Sequence, residues 1–376
     1  MINKWYFCLS EASIDRAHHG WREMVFAAVN SARIHTNLKP ILLFDGEENE
    51  FVDALRKKGV EIIFHRVKFY DALVEREKTS PGYASIASGA FLRVEIPLIE
   101  KEDDFVLYTD CDVLFMQDLP KFDEYPEYFS CAPQTSKTDY INDANSGVLI
   151  LNVKNMRDSY PAFAKFIVNN LNAGWPGCDQ ENYRRFYAGK WDNLPLEMNW
   201  KPYWGENNNI NILHWHGPKP EIILEKIIDA NLKLYPAWED LYSRNKIAYH
   251  YFFERWDRYT VQSLKACYEN NSKICGFVDT LSYDNESVIL TGWSYLFGKN
   301  KEVNIKVIIN GQEKQINSIE CLKRPDVQKA FNSAGIDSGF KIRIANPNMK
   351  GKISVIFELF ENDRKIKEKI NCDKVL

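Results

Sequence analysis

Short apolar runs and amphipathic stretches take turns along the first part of the chain. Residues 5–9, 40–44 and 60–64 are apolar runs of strand length. Between them, residues 21–34 repeat apolar positions at helical spacing, with Val25, Ala28, Val29 and Ala32 on one face. Residues 51–58 read as a second helix, ended by Gly59, and Asp45-Gly46 is a turn pair after the second strand. A helix over 85–96, stopped by Pro97, precedes a strand over 105–108, and 148–151 is a later buried strand. Strand–helix–strand order with short connections predicts an α/β domain, a mostly parallel sheet with helices on both faces.

The pattern changes after Asn270. Asn270-Asn271-Ser272 is a polar break, and beyond it strands are expected near 274–280, 288–295, 303–309, 340–344, 353–359 and 365–370. Asn310-Gly311 is a hairpin turn signal. Short strands at regular spacing predict a small β-sandwich. The expected division is a catalytic domain over 1–268 and an accessory β-domain over 269–376, which agrees with a length of 376 residues.

Composition narrows the class. Hydrophobic residues make up 45% and charged residues 27%, as in ordinary globular chains. A net charge of −4 gives no basic field to draw nucleic acid, so none is expected as a partner. The eight cysteines are scattered without a Cys-x-x-Cys pair, which argues against structural zinc and for reduced thiols of a cytoplasmic protein. The N-terminal apolar stretch is too short for a signal peptide. No apolar run approaches the roughly 20 residues of a membrane span. Tyr251, Phe252, Phe253, Arg255, Trp256 and Arg258 read as a helix covering the core. Peripheral contact at the inner membrane face is the other reading of that stretch.

The chemistry concentrates where the strand over 105–108 runs into Thr109-Asp110-Cys111-Asp112. In open α/β sheets, ligands bind beyond the carboxyl ends of the strands. Residues two apart in extended chain share a side, and two carboxylates there repel unless a cation lies between them. A hard divalent ion, Mg²⁺ or Mn²⁺, accepts such oxygens and leaves positions for phosphate. His214, in Leu213-His214-Trp215-His216-Gly217-Pro218-Lys219-Pro220, can complete a mixed oxygen–nitrogen site, which suits Mn²⁺ better. His216 competes with it, since both point the same way in extended chain. Gly217 permits close approach to a phosphate and Lys219 can neutralise one. Asn145-Ser146-Gly147 is either a simple turn before a buried strand or an amide group reading sugar hydroxyls. Asp179, which opens a helix after Trp175-Pro176-Gly177-Cys178, is either an N-cap or a sugar contact.

Together these segments resemble glycosyltransferase family 8, retaining enzymes that include bacterial lipooligosaccharide galactosyltransferases and glycogenin. The matching pieces are Thr-Asp-Cys-Asp at 109–112, Asn-Ser-Gly-Val-Leu-Ile-Leu-Asn at 145–152, Cys-Asp-Gln at 178–180 and His-Trp-His-Gly-Pro-Lys-Pro at 214–220. The resemblance covers residues 1–255. It implies a GT-A fold, a UDP-sugar donor and Mn²⁺, with Mg²⁺ as the alternative. It further implies Asp110, Asp112 and His214 as metal ligands. Gly217 and Lys219 resemble the diphosphate grip, and Arg93 the family's basic donor contact. Asn145, Ser146, Asp179 and Gln180 resemble the sugar-binding set, with Cys111 inside the donor-binding motif. The chain departs from the family in its loop, where Lys219 follows Gly217 by two residues instead of three. The first strand lacks the usual acidic pair, and Ser10 and Glu11 are the nearest substitutes for a uracil contact. The segment after 269 is similar to β-domains appended to bacterial polysaccharide glycosyltransferases, which bind acceptor glycan, pair subunits or serve structure alone.

The resulting expectation is a retaining, metal-dependent hexosyltransferase. It would move galactose or glucose from a UDP-sugar to a saccharide or glycolipid acceptor of a surface polysaccharide, lipopolysaccharide or glycoprotein glycan. Asp179 and Gln180 are the candidate catalytic residues. A nucleotidyltransferase acting on sugar phosphates would also use carboxylates, metal and lysine, but residues 10–20 hold no glycine-rich phosphate loop. A non-catalytic glycan-binding protein is the third reading, against which Asp110, Asp112 and His214 stand intact.

Overall fold

The computed structural model of the chain describes residues 2–14, 21–172, 179–260, 274–283, 287–296, 304–309, 312–330, 338–345, 352–361 and 364–375. The chain forms two compact units, Met1–Ile223 with Ala237–Val261, and Leu224–Pro236 with Gln262–Leu376.

The first unit is mixed α/β. Its strands are β1 (Lys4–Ser10), β2 (Lys39–Asp45), β3 (Glu61–Phe64), β4 (Phe105–Thr109), β5 (Val113–Phe115), β6 (Phe129–Pro133), β7 (Ala144–Asn152), β8 (Asp192–Asn193) and β9 (Ile212–His214). A seven-stranded sheet has the order β3-β2-β1-β4-β7-β6-β8, and β5 pairs with β9 apart from it. β1 lies parallel to β2 and β4, and β2 to β3, while β7 runs antiparallel to β4 and β6. The helices are α1 (Glu11–Ile14), α2 (Trp21–His35), α3 (Glu50–Lys57), α4 (Tyr70–Glu77), α5 (Tyr83–Phe91), α6 (Ile96–Ile99), α7 (Val153–Asn170) and α8 (Asp179–Phe186).

The apolar runs are continuous because both faces of the sheet are covered. Along β1, Trp5, Phe7 and Leu9 pack with Val25 and Val29 of α2 and Phe51 and Leu55 of α3. Tyr6 and Cys8 turn to the other face and pack with Leu73 of α4, Phe91 of α5, Phe163 of α7 and Tyr183 of α8. The helix expected over 85–96 ends earlier than its pattern predicts. After α5 the chain tightens into a 3₁₀ turn at Leu92–Glu95, and Pro97 opens α6 instead of stopping a helix. A first-turn proline loses no helical hydrogen bond. Residues 145–147 are no turn; they lie inside β7.

In the second unit, β10 (Ile274–Tyr283), β11 (Ser287–Leu296), β12 (Asn304–Ile309), β13 (Gln312–Lys314), β14 (Ser318–Leu322), β15 (Gly339–Ala345), β16 (Lys352–Glu361) and β17 (Arg364–Val375) form two antiparallel sheets, β10-β11-β15-β14 and β13-β12-β16-β17. Val278, Leu290 and Ile342 of one sheet share a core with Val307, Ile309 and Val355 of the other. Asn310-Gly311 lies outside the described residues, but Ile309 pairs with Gln312 across it. The spacing missed β13, whose Gln312, Glu313 and Lys314 are polar, as well as β14 and a short helix at Pro325–Ala330.

Phe252, Phe253 and Trp256 of the helix Lys246–Trp256 are buried, so these side chains cover the core. No helix among the described residues is long and apolar enough to cross a membrane. Among the described residues, Cys8, Cys111 and Cys131 are buried thiols outside any disulfide, and Cys321 is exposed. Cys178 and Cys267 lie outside the described residues.

Candidate functional site

Strand pairing brings the candidate ligands together. β4 pairs with β7 up to Thr109 and Val148, and the Asp110 N–H continues the ladder to the Gly147 carbonyl at 2.7 Å. The chain then turns into β5, where Val113 lies opposite His214 of β9. The Trp215 N–H donates to the Asp112 carbonyl at 2.8 Å. One ligand atom each from Asp110, Asp112 and His214 lie within 4.8 Å of one another. His214 Nε2 is 3.5 Å from Asp112 Oδ1 and 3.9 Å from Asp110 Oδ2.

A chain of amides fixes the histidine's tautomer. Two backbone groups anchor it: the Ser146 N–H donates to Gln180 Oε1 at 3.0 Å, and the Gly147 N–H to Asn145 Oδ1 at 3.2 Å. With both oxygens so identified, Asn145 Nδ2 donates to Gln180 Oε1, and Asn199 Nδ2 donates to Asn145 Oδ1. Asn199 Oδ1 therefore faces His214 Nδ1 at 3.0 Å as an acceptor. Nδ1 must carry hydrogen, so the neutral imidazole turns its Nε2 lone pair toward the two carboxylates. That is how a metal-binding histidine is oriented.

Asp112 is buried, and Lys219 Nζ bonds to its Oδ2. Its Oδ1 is also buried and makes no hydrogen bond with the described residues. Burial alone would raise the Asp112 carboxyl, but the Lys219 ammonium outweighs it and holds the group well below the usual carboxylate range. A buried anionic oxygen without a donor is costly. Asp112 Oδ1, the Nε2 lone pair and Asp110 form an oxygen–nitrogen set that fits a divalent cation.

Arg93 ties this cluster to the next. It is buried, and its guanidinium reaches Asp110 Oδ1 at 2.6 Å, Asp179 Oδ2 at 2.8 Å and the Ser146 carbonyl at 2.9 Å. Tyr108 donates its hydroxyl to Asp110 Oδ1 at 2.7 Å. Burial opposes the charge of Arg93, but Asp110 and Asp179 hold it protonated well above its ordinary value. Ser146 Oγ donates to Asp179 Oδ2 at 3.1 Å. Burial pushes the Asp179 carboxyl up, Arg93 pulls it down, and the repulsion of Asp110 leaves it raised.

The remaining candidates fall in different places. Gly217 has φ +95, a conformation that favours glycine, and packs against Leu241. Lys219 also donates to the Trp215 carbonyl at 2.8 Å. The Cys111 thiol points into the core, where it donates to the Cys8 carbonyl at 3.3 Å and burial raises it. His216 does not join the cluster; its Nδ1 lies 3.0 Å from the Tyr203 hydroxyl, and burial, with His214 and Lys219, lowers its pKa well below the ordinary value. Trp175, Pro176, Gly177 and Cys178 lie outside the described residues.

Ser10 and Glu11 line a cavity of ≈ 560 Å³ with Asp45, Arg66, Tyr70 and Ser88. It opens at the carboxyl ends of β1, β2 and β3, the same sheet edge from which β4 delivers Asp110, although Asp110, Asp112 and His214 are not among its lining residues. Glu11 is engaged there: Oε1 accepts from Asn49 Nδ2 at 3.0 Å and Oε2 from the Glu47 N–H at 3.2 Å.

No protein-family model matches the chain, and no curated protein does. Solved structures resemble it. The apo glycosyltransferase GlyE of Streptococcus pneumoniae TIGR4 is 16% identical over 70% of this chain and 65% of that one, with a TM-score of 0.45. The chain thus spans just under two thirds of that protein's length. The galactosyltransferase LgtC, in complex with donor and acceptor sugar analogues, is 16% identical over 63% of this chain and 99% of that one, with a TM-score of 0.43. Mouse xyloside xylosyltransferase 1 is 16% identical over 57% and 97%, with a TM-score of 0.40. At scores this low the likenesses carry no argument about function, which rests on the site itself.

The structure adds residues that the sequence did not mark. Asn199, in Met198-Asn199-Trp200, carries no motif, and Tyr108 and Gln134 likewise act only through contacts made in the fold. Gly147 had a partial signal as a glycine beside an amide. Its reason is steric: a Cβ there would stand 2.1 Å from His214 Cε1.

Proposed function

We propose that this chain is a metal-dependent, retaining glycosyltransferase of GT-A type, transferring galactose or glucose from a UDP-sugar to a saccharide or glycolipid acceptor. The observation that carries the reading is the Asp110–Asp112–His214 cluster, with its undonated Asp112 Oδ1 and its oriented Nε2 lone pair. Asp110, Asp112 and His214 would hold the ion. Imidazole in the set favours Mn²⁺ over Mg²⁺. A bound divalent ion supplies positive charge to the departing diphosphate.

The chain's own residues do the rest. Lys219 adds a second cation beside Asp112, and Gly217, whose φ of +95 favours glycine, shapes the loop whose backbone would face a phosphate. The cavity at the ends of β1–β3 suits the nucleoside, with Ser10 on its wall and Glu11 shaping the loop at Glu47. Arg93 holds Asp110 and Asp179 in fixed relation, so that a hexose contacting Asp179 is placed against the metal ligands.

Retention by double displacement needs a free nucleophile. Gln180 Oε1 already accepts two N–H donors, and Asp179 Oδ2 is paired with Arg93 and Ser146. This supports attack from the face that the leaving group departs. The acceptor oxygen bonds to the anomeric carbon as its bond to phosphate oxygen breaks, and a phosphate oxygen takes the hydroxyl proton.

The test is a panel of UDP-sugars scored for Mn²⁺-dependent UDP release, with Asp112→Ala as control. The reading expects UDP from at least one hexose donor and at least ~10²-fold less from the variant. Release of nucleoside monophosphate would assign a nucleotidyltransferase, and no product from folded protein a non-catalytic glycan binder.

A further inference from the structure

A transferred hexose needs an incoming hydroxyl, and that hydroxyl's hydrogen needs an acceptor in the site. Several acceptors there are engaged, one oxygen on each carboxylate among them. Asp110 Oδ1 takes Arg93 and Tyr108, Asp112 Oδ2 takes Lys219, and Asp179 Oδ2 takes Arg93 and Ser146. Gln180 Oε1 takes Asn145 and the Ser146 N–H, and Asn199 Oδ1 takes His214.

His216 differs. The Tyr203 hydroxyl bonds closely to the Gln134 carbonyl, which has no hydrogen to give, so the tyrosine must be the donor. Its hydrogen is thereby spent, and the contact with His216 Nδ1 at 3.0 Å requires the imidazole to donate. His216 thus carries its hydrogen on Nδ1 and a lone pair on Nε2. The described residues give that Nε2 no hydrogen bond, and the side chain is half-buried. Its ring centroid stands 6.0 Å from that of His214, beside the metal ligands. Gln134 joins both sides of this space: its carbonyl fixes Tyr203, and its side-chain oxygen accepts from Gln180 Nε2.

We propose that His216 Nε2 accepts a hydrogen bond from the attacking hydroxyl, of the acceptor saccharide or of water, and orients its oxygen toward the anomeric carbon; this rests on the transferase reading above. His216 takes no proton in the step. The new bond joins the hydroxyl oxygen to the anomeric carbon, the bond from that carbon to the diphosphate breaks, and the hydroxyl proton leaves on a phosphate oxygen of UDP.

Water serves as the probe, because donor hydrolysis uses it as the incoming hydroxyl. The full chain is assayed with Mn²⁺ and whichever UDP-sugar the wild type hydrolyses. His216→Ala lowers kcat about tenfold, the scale of one hydrogen bond, and leaves UDP affinity with Mn²⁺, read by calorimetry, unchanged. His216→Gln, which restores an acceptor oxygen, recovers part of kcat. Tyr203→Phe frees the tautomer and gives a smaller loss. An unchanged kcat in His216→Ala overturns the proposal. So does loss of UDP–Mn²⁺ binding in both His216 variants, which would place His216 in the metal site. A wild type that releases UDP from no donor fails at the transferase reading, before His216 is reached, and the proposal falls with it.

Discussion

Asn199 Oδ1 and His214 Nδ1 lie 3.0 Å apart, and this contact decides which ring nitrogen of His214 faces Asp110 and Asp112. Asn199 is held by Asn145, which a backbone N–H anchors in turn. Removing Asn199 therefore releases the tautomer without touching a ligand. Asn199→Ala is expected to raise the Mn²⁺ concentration for half-maximal UDP release about 10–100-fold, the usual effect of losing such an outer partner. Turnover at saturating metal should largely return. A titration showing no change would mean that the amide chain is structural only.

Gly147 is required by contact, not by backbone angle. An added Cβ would stand 2.1 Å from His214 Cε1 and 2.7 Å from Nδ1. Gly147→Ala must displace the imidazole, at a cost of about 1–3 kcal/mol in stability. Thermal unfolding should show the loss, and Mn²⁺-dependent activity should fall further than stability alone explains. An alanine variant with the wild-type metal requirement would place His214 outside the metal site.

Acid stability offers a check far from the site. Burial would raise the Glu100 carboxyl, but the Glu102 and Asp103 N–H groups, Tyr6 and Lys4 overcome it and hold it at about 2, below the ordinary 4.5. A depressed carboxylate contributes its full stability above the unfolded value and loses it as pH falls through the folded one. The stability difference between wild type and Glu100→Gln should be largest near neutrality and shrink from about pH 4.5 down to about pH 2. Denaturant titrations at several pH values measure it. A difference that stays constant over that window would contradict the assigned interactions.

The two units invite a cut. All donor-site candidates lie before Pro220, and the expected boundary is near residue 268. Leu224–Pro236 belongs to the second unit, so a chain ending there keeps a segment without its own core. We expect the shortened chain to be less stable yet to bind UDP with Mn²⁺, because separate cores fold separately. Calorimetry on folded, shortened protein decides the point. Folded protein without UDP binding would mean that the second unit helps build the donor site.

Much of the fold was legible because its elements are set by local periodicity. The runs at β1, β2 and β4 are apolar throughout because helices cover both faces, and strand-length runs between helices have few other solutions. Pro97 misled because a proline stops one helix and starts another equally well. Residues 145–147 looked like a turn because glycine and asparagine favour one; in the fold, β6 and β7 pair around them with an irregularity between Cys131 and Ala132. Asp110, Asp112 and His214 could be marked by residue type and strand-end position. Asn199 could not, since its role exists only once β9 brings His214 to it. Strand geometry alone leaves His214 and His216 on one side, and only the resemblance selected His214; in the fold His216 instead meets the Tyr203 hydroxyl.

The central claim is that Asp110, Asp112 and His214 hold one divalent ion with His214 Nε2 bound directly. Pulsed electron paramagnetic resonance of Mn²⁺ on the full chain with UDP reads nitrogen coordination itself. The account predicts a directly coupled imidazole nitrogen that is retained in His216→Ala and lost in His214→Ala, with Mn²⁺ binding severely weakened in Asp112→Ala. A spectrum without nitrogen coupling, or one that loses it in His216→Ala and keeps it in His214→Ala, would contradict it.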